Sequence, residues 1–397
     1  MQLKSNISFN DTAVAFQSKS DKALAKANFV FSVVNNPHIS KISMVAVKAA
    51  LAMRLPIKWI IKRTVFEHFC GGETIQDSLK SIKELNEYNV GSILDYSVEG
   101  VDTTSNYEKV KKQIIDTIVT ASKTEGIPFS VFKVTGIGST SALRKRQSKE
   151  KFNKKDHSNY EKLKGRVEDI CEAAYQHNVP ILIDAEESWI QDSIDELVYE
   201  MMAKYNKEKA IVFNTYQLYR SDMLGNLKKA FHDAAMGNYH LGAKLVRGAY
   251  MEKERERAED KGYKSPIHAN KDAVDKDYNE ALSFCMDNKQ RISFMCGSHN
   301  EYSNLYLTLL MEKHGMKNDD PRVFFAQLYG MSDNISFNLA QAGYNVGKYL
   351  PYGPVRAVMP YLFRRATENT SVEGQSSREL TLIRAEMKRR RELKKDN

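Results

Sequence analysis

Short apolar runs alternate with longer amphipathic stretches along most of this chain, from about Ser92 onward. Each run is rich in Val, Ile, Leu or Phe and is bounded by Gly, Pro, Asn or Asp, which is typical of buried strands. The runs are Ser92–Tyr96, Ser130–Thr135, Pro180–Asp184, Ala210–Asn214, Gly242–Val246, Arg291–Cys296, Arg322–Gln327 and Asn345–Tyr349. The alternation therefore predicts eight strands separated by helices.

The stretches between the runs carry helical periodicity. Tyr160–His177 places Leu163, Val167 and Ile170 on one face at spacings of three and four, and Ser188–Tyr205 opens with a serine that can cap the first turn. Further helices are predicted at Gly225–Gly237, Lys271–Asp287, Glu301–Gly315, Asn334–Gly343 and Val355–Glu368. Eight strand–helix units over about 280 residues favour an α/β fold of the (βα)8, TIM-barrel type. An open doubly wound sheet is the alternative, but no GxGxxG sequence follows the first strand.

The first ninety residues contain only helical patterns. These helices are predicted around Lys22–Val33, Lys41–Leu55, Ile57–Phe69 and Thr74–Glu87, separated by Asn-Pro, Leu-Pro and Gly-Gly signals. The sequence thus predicts an N-terminal helical arm (1–90), a barrel (91–375) and a basic C-terminal tail (376–397). The basic, apolar middle of the arm could lie on a membrane surface or pack on the barrel.

Charge and cysteine content narrow the class of protein. The formal charge is +9, with much of the excess in Leu143–Lys155 and Lys388–Lys395, and such runs attract nucleic acid or anionic membranes. Aromatic residues are not interleaved with these lysines, so a nucleic-acid stacking surface is not indicated. The four cysteines form no CxxC pair, which argues against a zinc site and fits a reducing compartment. No segment reaches the roughly 18 uncharged apolar residues of a membrane span, and residues 1–20 lack a secretory signal.

Polar residues stand at the ends of the predicted strands. In a (βα)8 barrel the working side chains cluster at these carboxyl ends, where the βα loops converge. The residues concerned are Asp95, Glu99, Lys133, Asp184, Glu186, Glu187, Asn214, Gln217, Lys244, Arg247, Tyr250, Ser298, His299, Gln327, Tyr329 and Tyr349.

The last barrel helix carries a pair of adjacent arginines. Tyr361, Arg364, Arg365 and Glu368 recur at spacings of three and four residues and so face one side of that helix. Two neighbouring guanidiniums beside a tyrosine suit bidentate binding of a carboxylate or phosphate. A salt-bridged surface stripe is the alternative.

Two strand lysines admit a different chemistry. Lys133 and Lys244 could each form a Schiff base, since burial lowers the pKa of a lysine. A lysine-dependent aldolase is therefore a competing hypothesis, and a structural ion pair with Asp184 or Glu99 is the plainer one. His299 could act as a general base or metal ligand. No HxH or HExxH sequence accompanies it, so no metal site is expected.

Six motifs resemble those of the proline dehydrogenase family, in the family's order. Lys244-Leu245-Val246-Arg247-Gly248-Ala249-Tyr250 is similar to its K/R-L-V-K/R-G-A-Y motif. Tyr349-x-Pro351-x-Gly353, followed by Tyr361-Leu362-x-Arg364-Arg365-x-x-Glu368-Asn369, is similar to its second signature. The other four are Asp184-Ala185-Glu186-Glu187, Tyr216-Gln217, Ser298-His299-Asn300 and Leu328-x-Gly330-Met331. The resemblance spans about Ser92 to Ser371 and extends to the corresponding domain of bifunctional proline utilisation A flavoenzymes.

The resemblance implies a distorted (βα)8 barrel that binds FAD non-covalently and oxidises L-proline to Δ1-pyrroline-5-carboxylate, with hydride passing to flavin N5. It implies that Arg364, Arg365 and Lys133 bind the proline carboxylate and that Glu99 pairs with Arg364 as a gate. Asp184 is implied to orient the polar groups, and the residues implied to enclose the ring are Tyr250, Leu328, Tyr349 and Tyr361. The residues implied to contact the flavin or its nucleotide are Gln217, Lys244, Val246, Arg247, Gly248, His299 and Glu368. Arg247 stands where the family often has lysine.

The resemblance also implies partners. A quinone is the family's electron acceptor, which would bring the arm or tail to an anionic membrane surface. No aldehyde dehydrogenase segment follows the last helix, so a monofunctional protein is expected, with a separate pyrroline-5-carboxylate dehydrogenase. The chain resembles bacterial members and is expected in the cytoplasm, associated peripherally with the inner membrane. Tyr349 would crowd a 4-hydroxyl group, so proline is favoured. A hydroxyproline-oxidising relative and a non-catalytic membrane- or scaffold-binding barrel are competing hypotheses.

Overall fold

Eight strands close into a parallel barrel. The computed structural model describes residues 7–53, 55–97, 103–371 and 375–396. The strands are β1 (Val90–Tyr96), β2 (Phe129–Lys133), β3 (Ile181–Asp184), β4 (Val212–Gln217), β5 (Leu241–Val246), β6 (Ile292–Gly297), β7 (Val323–Leu328) and β8 (Val346–Tyr352). They follow one another around the barrel in sequence order, and β8 pairs in parallel with β1, with Ile93 opposite Tyr349. Every predicted run overlaps one strand, so the predicted α/β barrel is confirmed.

The strands are apolar because the barrel buries them. All six residues of β4 and all seven of β8 are buried. A strand covered on both faces loses the alternation of polar and apolar residues that marks a half-exposed strand. The continuous runs in the sequence follow from that burial.

Seventeen α-helices lie within the described residues. The first six are α1 (Thr12–Ala15), α2 (Asp21–Val34), α3 (Pro37–Ala52), α4 (Lys58–Ile61), α5 (Glu67–Phe69) and α6 (Ile75–Asn86), with a π-helical turn at Lys62–Phe66 between α4 and α5. The next six are α7 (Thr104–Ala121), α8 (Thr140–Gln147), α9 (Lys154–Gln176), α10 (Ser188–Tyr205), α11 (Met223–Met236) and α12 (Met251–Lys261). The last five are α13 (Lys271–Asp287), α14 (Glu301–Lys313), α15 (Asp333–Gln341), α16 (Val355–Ser371) and α17 (Gln375–Leu393).

Several helices begin at a residue whose side chain caps the first turn. Thr74 and Asp77 form a reciprocal capping box at α6. The expected cap at Ser188 was wrong, because Glu187 is the N-cap residue of α10. The Ser188 hydroxyl instead donates to Oε2 of Glu254 at 2.6 Å, and its amide donates to Oε1 at 2.5 Å. A carboxylate from α12 thus satisfies the first turn of α10.

The described chain forms two compact units. Residues 103–326 form one, and residues 7–97 together with 327–396 form the other. The first unit has its core in β2–β6 and their helices. In the second, α2, α16 and α17 share one apolar core; buried members include Leu24, Phe31, Phe66, Val358 and Ile383. None of the described helices is both long enough and apolar enough to span a membrane.

The segment predicted as a basic tail forms part of that core. Leu380 and Ile383 of α17 are buried. Glu386 is also buried and accepts hydrogen bonds from Arg389, Arg390 and Thr12. Much of the basic charge of α17 is therefore used within the second unit.

Candidate active site

Asp184 and Lys244 form an ion pair within the first unit. Asp184 ends β3, Lys244 lies in β5, and Nζ stands 2.5 Å from Oδ1. The two side chains are only 14% and 7% exposed. Removing two charges from water is unfavourable unless they pair closely, and this pair satisfies that condition. The sequence left two roles open for Lys244, a Schiff-base lysine or one partner of a structural ion pair. The observed pair with Asp184 is the second of these.

Lys133 and Tyr250 lie together at the ends of β2 and β5. The Lys133 ammonium donates to the Tyr250 hydroxyl at 3.3 Å and lies 5.9 Å from the centroid of its ring. Tyr250 is held in place as the N-cap residue of α12. The structure thus brings together two residues that the resemblance assigns to the substrate, one cationic and one aromatic.

Glu186 joins the ends of three neighbouring strands. Its carboxylate accepts the Thr135 amide at 2.9 Å and the Thr135 hydroxyl at 2.5 Å. Its own amide donates to Gln191, and its carbonyl accepts from Gln217, both at 2.7 Å. Burial raises the pKa of Glu186 above its ordinary value, against the lowering effect of the nearby Lys133 charge. The sequence placed Glu186 at a strand end but gave it no role; its position two residues after Asp184 was the available signal.

The loop after β5 requires glycine at one position. Gly248 has φ +133°, and a Cβ there would lie 2.6 Å from the Tyr219 ring. The loop is fixed just before this residue, since the carbonyls of Val246 and Arg247 accept the amides of Leu218 and Tyr219. The exposed main chain at Gly248 is therefore open to close approach by a ligand.

Arg247 directs its guanidinium to protein groups. It donates to Asp275 at 2.8 Å, Ser298 at 2.8 Å and Ser303 at 2.9 Å, and stacks 4.3 Å from the Tyr278 ring centroid. These bonds tie the end of β5 to α13 and to the start of α14. The motifs imply that Arg247 contacts the cofactor. The structure gives Arg247 a structural role as well, which the motifs did not indicate.

Donors at these strand ends suit a flavin nucleotide. Gln217 is buried at the end of β4, and the half-buried His299 follows β6 just before α14. An amide and the Lys244 ammonium can donate to the oxygens of a flavin ring. The α14 N-terminus and the open main chain at Gly248 suit a pyrophosphate. The residues of the first unit therefore fit the cofactor class implied by the motifs.

Three of the four residues implied to surround a substrate ring lie in the second unit. Tyr349 of β8 is buried, and its carbonyl accepts the Tyr329 amide at 2.8 Å. Leu328 ends β7, is half-buried and packs against the apolar core of this unit. Tyr361 of α16 is also buried.

Tyr361, Arg364 and Arg365, three residues of the predicted helical stripe, lie on α16. The Arg365 guanidinium lies 5.2 Å from the centroid of the Tyr361 ring, one helical turn away. Arg364 and Arg365 are both half-buried. Glu99 lies outside the described residues, as does the side chain of Glu368, so the predicted gate between Glu99 and Arg364 stays a prediction.

A buried group of charges, which the sequence did not indicate, lies beside Leu328. The Asp333 carboxylate forms two ion pairs. Its Oδ1 lies 2.8 Å from Nζ of Lys348, and its Oδ2 lies 3.0 Å from Nζ of Lys19. Burial opposes the charged form of Asp333, but the two ammonium groups outweigh it and hold its pKa well below the usual range. Lys348 also donates to the carbonyls of Leu328, at 3.4 Å, and Met331.

A buried carboxylate from the C-terminal helix completes this group. Glu379 of α17 accepts the amide of Ser332, which has φ +50°. Burial, together with the charge of Asp333, raises the pKa of Glu379 to about 7. The turn between β7 and α15 is thus held from β8, from the N-terminal arm and from α17.

Comparison with known sequences agrees with the motifs. The sequence model of the proline dehydrogenase family matches residues 78–378. A mitochondrial proline dehydrogenase 1 from Dictyostelium discoideum is 33% identical, over 96% of this chain and 74% of that protein. A hydroxyproline dehydrogenase from Xenopus laevis is 30% identical, over 98% of this chain and 91% of that protein.

Solved structures share the fold. Proline utilization A from Bdellovibrio bacteriovorus, inactivated by N-propargylglycine, matches with a TM-score of 0.71 at 19% identity. The match covers 93% of this chain and 40% of that one, so the chain spans less than half of that protein. With the family match over most of its length and relatives at 30% identity or above over nearly all of it, the chain belongs to the proline dehydrogenase family.

Proposed function

We propose that this protein oxidises L-proline to Δ1-pyrroline-5-carboxylate with FAD as its cofactor. The observation that carries the proposal is on α16, where the Arg365 guanidinium lies 5.2 Å from the centroid of the Tyr361 ring and the half-buried Arg364 is its neighbour in sequence. Proline combines a carboxylate with a small apolar ring, and this stripe offers a partner for each. The family to which the chain belongs supports the same reaction.

The carboxylate is bound by Arg364 and Arg365 together with Lys133. Guanidiniums bind a carboxylate in bidentate fashion, so they fix its orientation as well as its charge. Glu99 closes the site by pairing with Arg364. Asp184 holds the Lys244 ammonium in place through the ion pair between them.

The pyrrolidine ring packs among aromatic and aliphatic side chains. The residues proposed for this are Tyr250, Leu328, Tyr349 and Tyr361. Holding the ring and the carboxylate together restricts the substrate to one orientation, which is catalysis by positioning. The same side chains exclude water from the reacting carbon.

FAD is held mainly by donors of the first unit. The residues proposed to contact it are Gln217, Lys244, Val246, Arg247, Gly248 and His299, with Glu368 from α16. When bound there, the flavin would supply the acceptor for the hydride of the ring carbon beside nitrogen. The amine proton leaves to solvent as the C=N bond of the product forms, so that two electrons leave the substrate in all.

Partners follow from this chemistry. The electrons pass to a quinone, and a separate pyrroline-5-carboxylate dehydrogenase takes the product. Quinones are apolar, so peripheral contact with an anionic membrane surface belongs to the same proposal.

A hydroxyproline oxidase is the second candidate, favoured by the relative from Xenopus laevis. The burial of Tyr349 argues for proline, because a bulky buried side chain leaves less room for a 4-hydroxyl group.

The visible spectrum of the purified full-length protein tests the proposal. We expect a flavin spectrum that bleaches anaerobically on addition of L-proline, and less readily on addition of trans-4-hydroxy-L-proline. A colourless protein that gains no activity with added FAD would rule out the proposal. Borohydride trapping of a keto substrate on Lys133 or Lys244 would establish the aldolase instead.

A further inference from the structure

Helix α10 carries a row of polar side chains on the side that meets β4. Gln191, Asp195 and Tyr199 follow one another at spacings of four residues, so they lie on one side of the helix. The buried residues of α10 are otherwise mostly apolar and include Ile194 and Val198. Polar groups in such an interface are unfavourable unless they are hydrogen-bonded, so their partners deserve a full account.

Asp195 is the shared acceptor of this row. Its Oδ1 accepts hydrogen bonds from Nε2 of Gln191 and from Nδ2 of Asn214, each at 2.8 Å. Gln191 belongs to α10 and Asn214 to β4, and both side chains are buried. One oxygen of the half-buried Asp195 therefore joins the helix to the strand and fixes the orientation of two buried amides.

The hydrogen bonds continue from Gln191 to the end of β4. Oε1 of Gln191 accepts the main-chain amide of Glu186 at 2.7 Å. The Glu186 carbonyl in turn accepts Nε2 of Gln217, also at 2.7 Å. Three successive hydrogen bonds thus connect Asp195 to Gln217, a residue proposed to contact the flavin.

Glu186 connects the same series to β2. Its carboxylate accepts the amide and the hydroxyl of Thr135, which follows the proposed carboxylate ligand Lys133 by two residues. The main chain of Glu186 therefore holds a residue on the flavin side of the site, and its carboxylate holds the strand end on the substrate side. A displacement of Glu186 would disturb both.

We propose that Asp195, acting through Gln191 and Glu186, is a positioning residue that fixes the Gln217 side chain in its orientation toward the flavin. The proposal rests on the proposed function, because only a bound flavin gives the orientation of Gln217 a catalytic consequence. Hydrogen bonds to a flavin tune its reduction potential. Misplacement of a group by about 1 Å lowers the rate strongly. Stability alone does not call for these amides, since apolar side chains of the same shape could join α10 to β4.

Three variants and a matched control test the proposal. Asp195→Leu and Gln191→Met each interrupt the series at one point, whereas Asp195→Asn keeps an Oδ1 acceptor and loses only the charge. The control is Asn206→Leu. Asn206 is also buried, and it donates to the carbonyl and accepts the amide of Val212, at the opposite end of β4 from Gln217. The control therefore removes buried amide hydrogen bonds from the same strand without interrupting the series.

The full-length proteins are loaded with FAD, and four quantities are measured: flavin content, flavin reduction potential, stability to urea, and kcat and KM for proline per bound flavin. We expect Asp195→Leu and Gln191→Met to shift the potential by about 30 mV, which is a tenfold change in the relative affinity for oxidised and reduced flavin. They should lower kcat by about tenfold and change KM less. Asp195→Asn should restore most of both quantities. Asn206→Leu should lower stability but leave the potential and kcat near the wild-type values.

Wild-type potential and kcat in Gln191→Met overturn the inference, and this variant suffices if Asp195→Leu does not fold. A shift as large in Asn206→Leu, or no recovery in Asp195→Asn, overturns it as well. The wild-type spectrum separates these results from a failure of the proposed function. A wild-type flavin that L-proline does not bleach contradicts the proposed function and the inference together, whereas a wild type that bleaches beside unaffected variants contradicts the inference alone.

Discussion

Lys348 of β8 and Asp333 at the start of α15 form a buried ion pair with a separation of 2.8 Å. Their side chains are 1% and 7% exposed. Lys348 precedes Tyr349 in sequence and also donates to the carbonyl of Leu328. The pair therefore fixes the main chain next to two residues proposed to enclose the substrate ring.

Replacing Lys348 with methionine should destabilise the protein strongly. The change leaves Asp333 buried with one of its two cations removed, and such losses cost about 3–5 kcal/mol. Urea denaturation measures the free energy of unfolding. Lys80→Met is the control, since Lys80 is 84% exposed and pairs only at 3.8 Å with Glu84, and its effect should stay within about 0.5 kcal/mol. Equal effects for the two variants would contradict a stabilising role for the buried pair.

Glu379 should make stability depend on pH near neutrality. Its pKa in the folded protein is raised to about 7, while a glutamate in the unfolded chain titrates near 4.5. The folded protein therefore binds this proton more tightly, so the contribution is present below about pH 4.5 and is lost as the pH rises through about 7. The full difference corresponds to about 3 kcal/mol.

Glu379→Gln isolates this contribution. Glutamine keeps an acceptor for the Ser332 amide but cannot ionise. We expect the variant to be more stable than wild type by up to about 3 kcal/mol at pH 8.5 and to differ little at pH 5, measured by urea denaturation at each pH. A variant that loses stability mainly at the higher pH would mean that the ionised carboxylate is the stabilising form.

The strands were predictable because burial leaves a direct mark on the sequence. A strand inside a barrel is apolar on both faces, so all eight appeared as short runs. Helix α12 was missed for the opposite reason. Its sequence, Met251–Lys261, is almost wholly charged and lacks an apolar stripe, although Ala258 and Glu254 are buried in the structure.

Some residues of the candidate site could be predicted from the sequence and others could not. The Lys133–Tyr250 contact could be anticipated because strand ends converge in a barrel and because the motifs name both residues. The binding role of the arginine pair stays a prediction. The group of buried charges around Lys348 could not be predicted from the sequence. Lys19, Asp333 and Glu379 are far apart in the sequence, and a lysine inside an apolar run resembles an interruption rather than a partner. Only the folded chain shows that these charges meet.

Arg364→Met and Arg365→Met should each reduce proline oxidation. Truncating one partner of a buried charged contact typically costs about 2–5 kcal/mol, which here would appear in kcat/KM for proline. Arg356→Met is the matched control, because Arg356 lies on the same helix and is exposed. Flavin content is measured alongside, so that loss of cofactor is not mistaken for loss of substrate binding. Wild-type kcat/KM in both variants would remove the arginines from the site.

Tyr349→Ser should change the selectivity between proline and hydroxyproline. The smaller side chain makes room for a 4-hydroxyl group, so kcat/KM for hydroxyproline relative to proline should rise by about tenfold or more, as expected for steric discrimination of about 1–3 kcal/mol. Steady-state assays with both substrates measure the ratio. Tyr329→Ser is the comparison, since Tyr329 contributes its amide to the Tyr349 carbonyl. An unchanged ratio in Tyr349→Ser would refute the steric argument.

The ion pair between Asp184 and Lys244 should show strong energetic coupling. A double-mutant cycle of Asp184→Asn and Lys244→Met measures it from the unfolding free energies of wild type, both single variants and the double variant. Each single change leaves one buried group without its charged partner, whereas the double change removes both, so a coupling energy of about 2–3 kcal/mol is expected. Lys204 and Glu168 provide the matched cycle in the same unit, paired at 2.6 Å but 52% and 40% exposed. Water screens that pair, so its coupling should be much weaker. Similar coupling in both cycles would show that burial adds nothing to the Asp184–Lys244 pair and would weaken its proposed part in placing the cation beside the flavin.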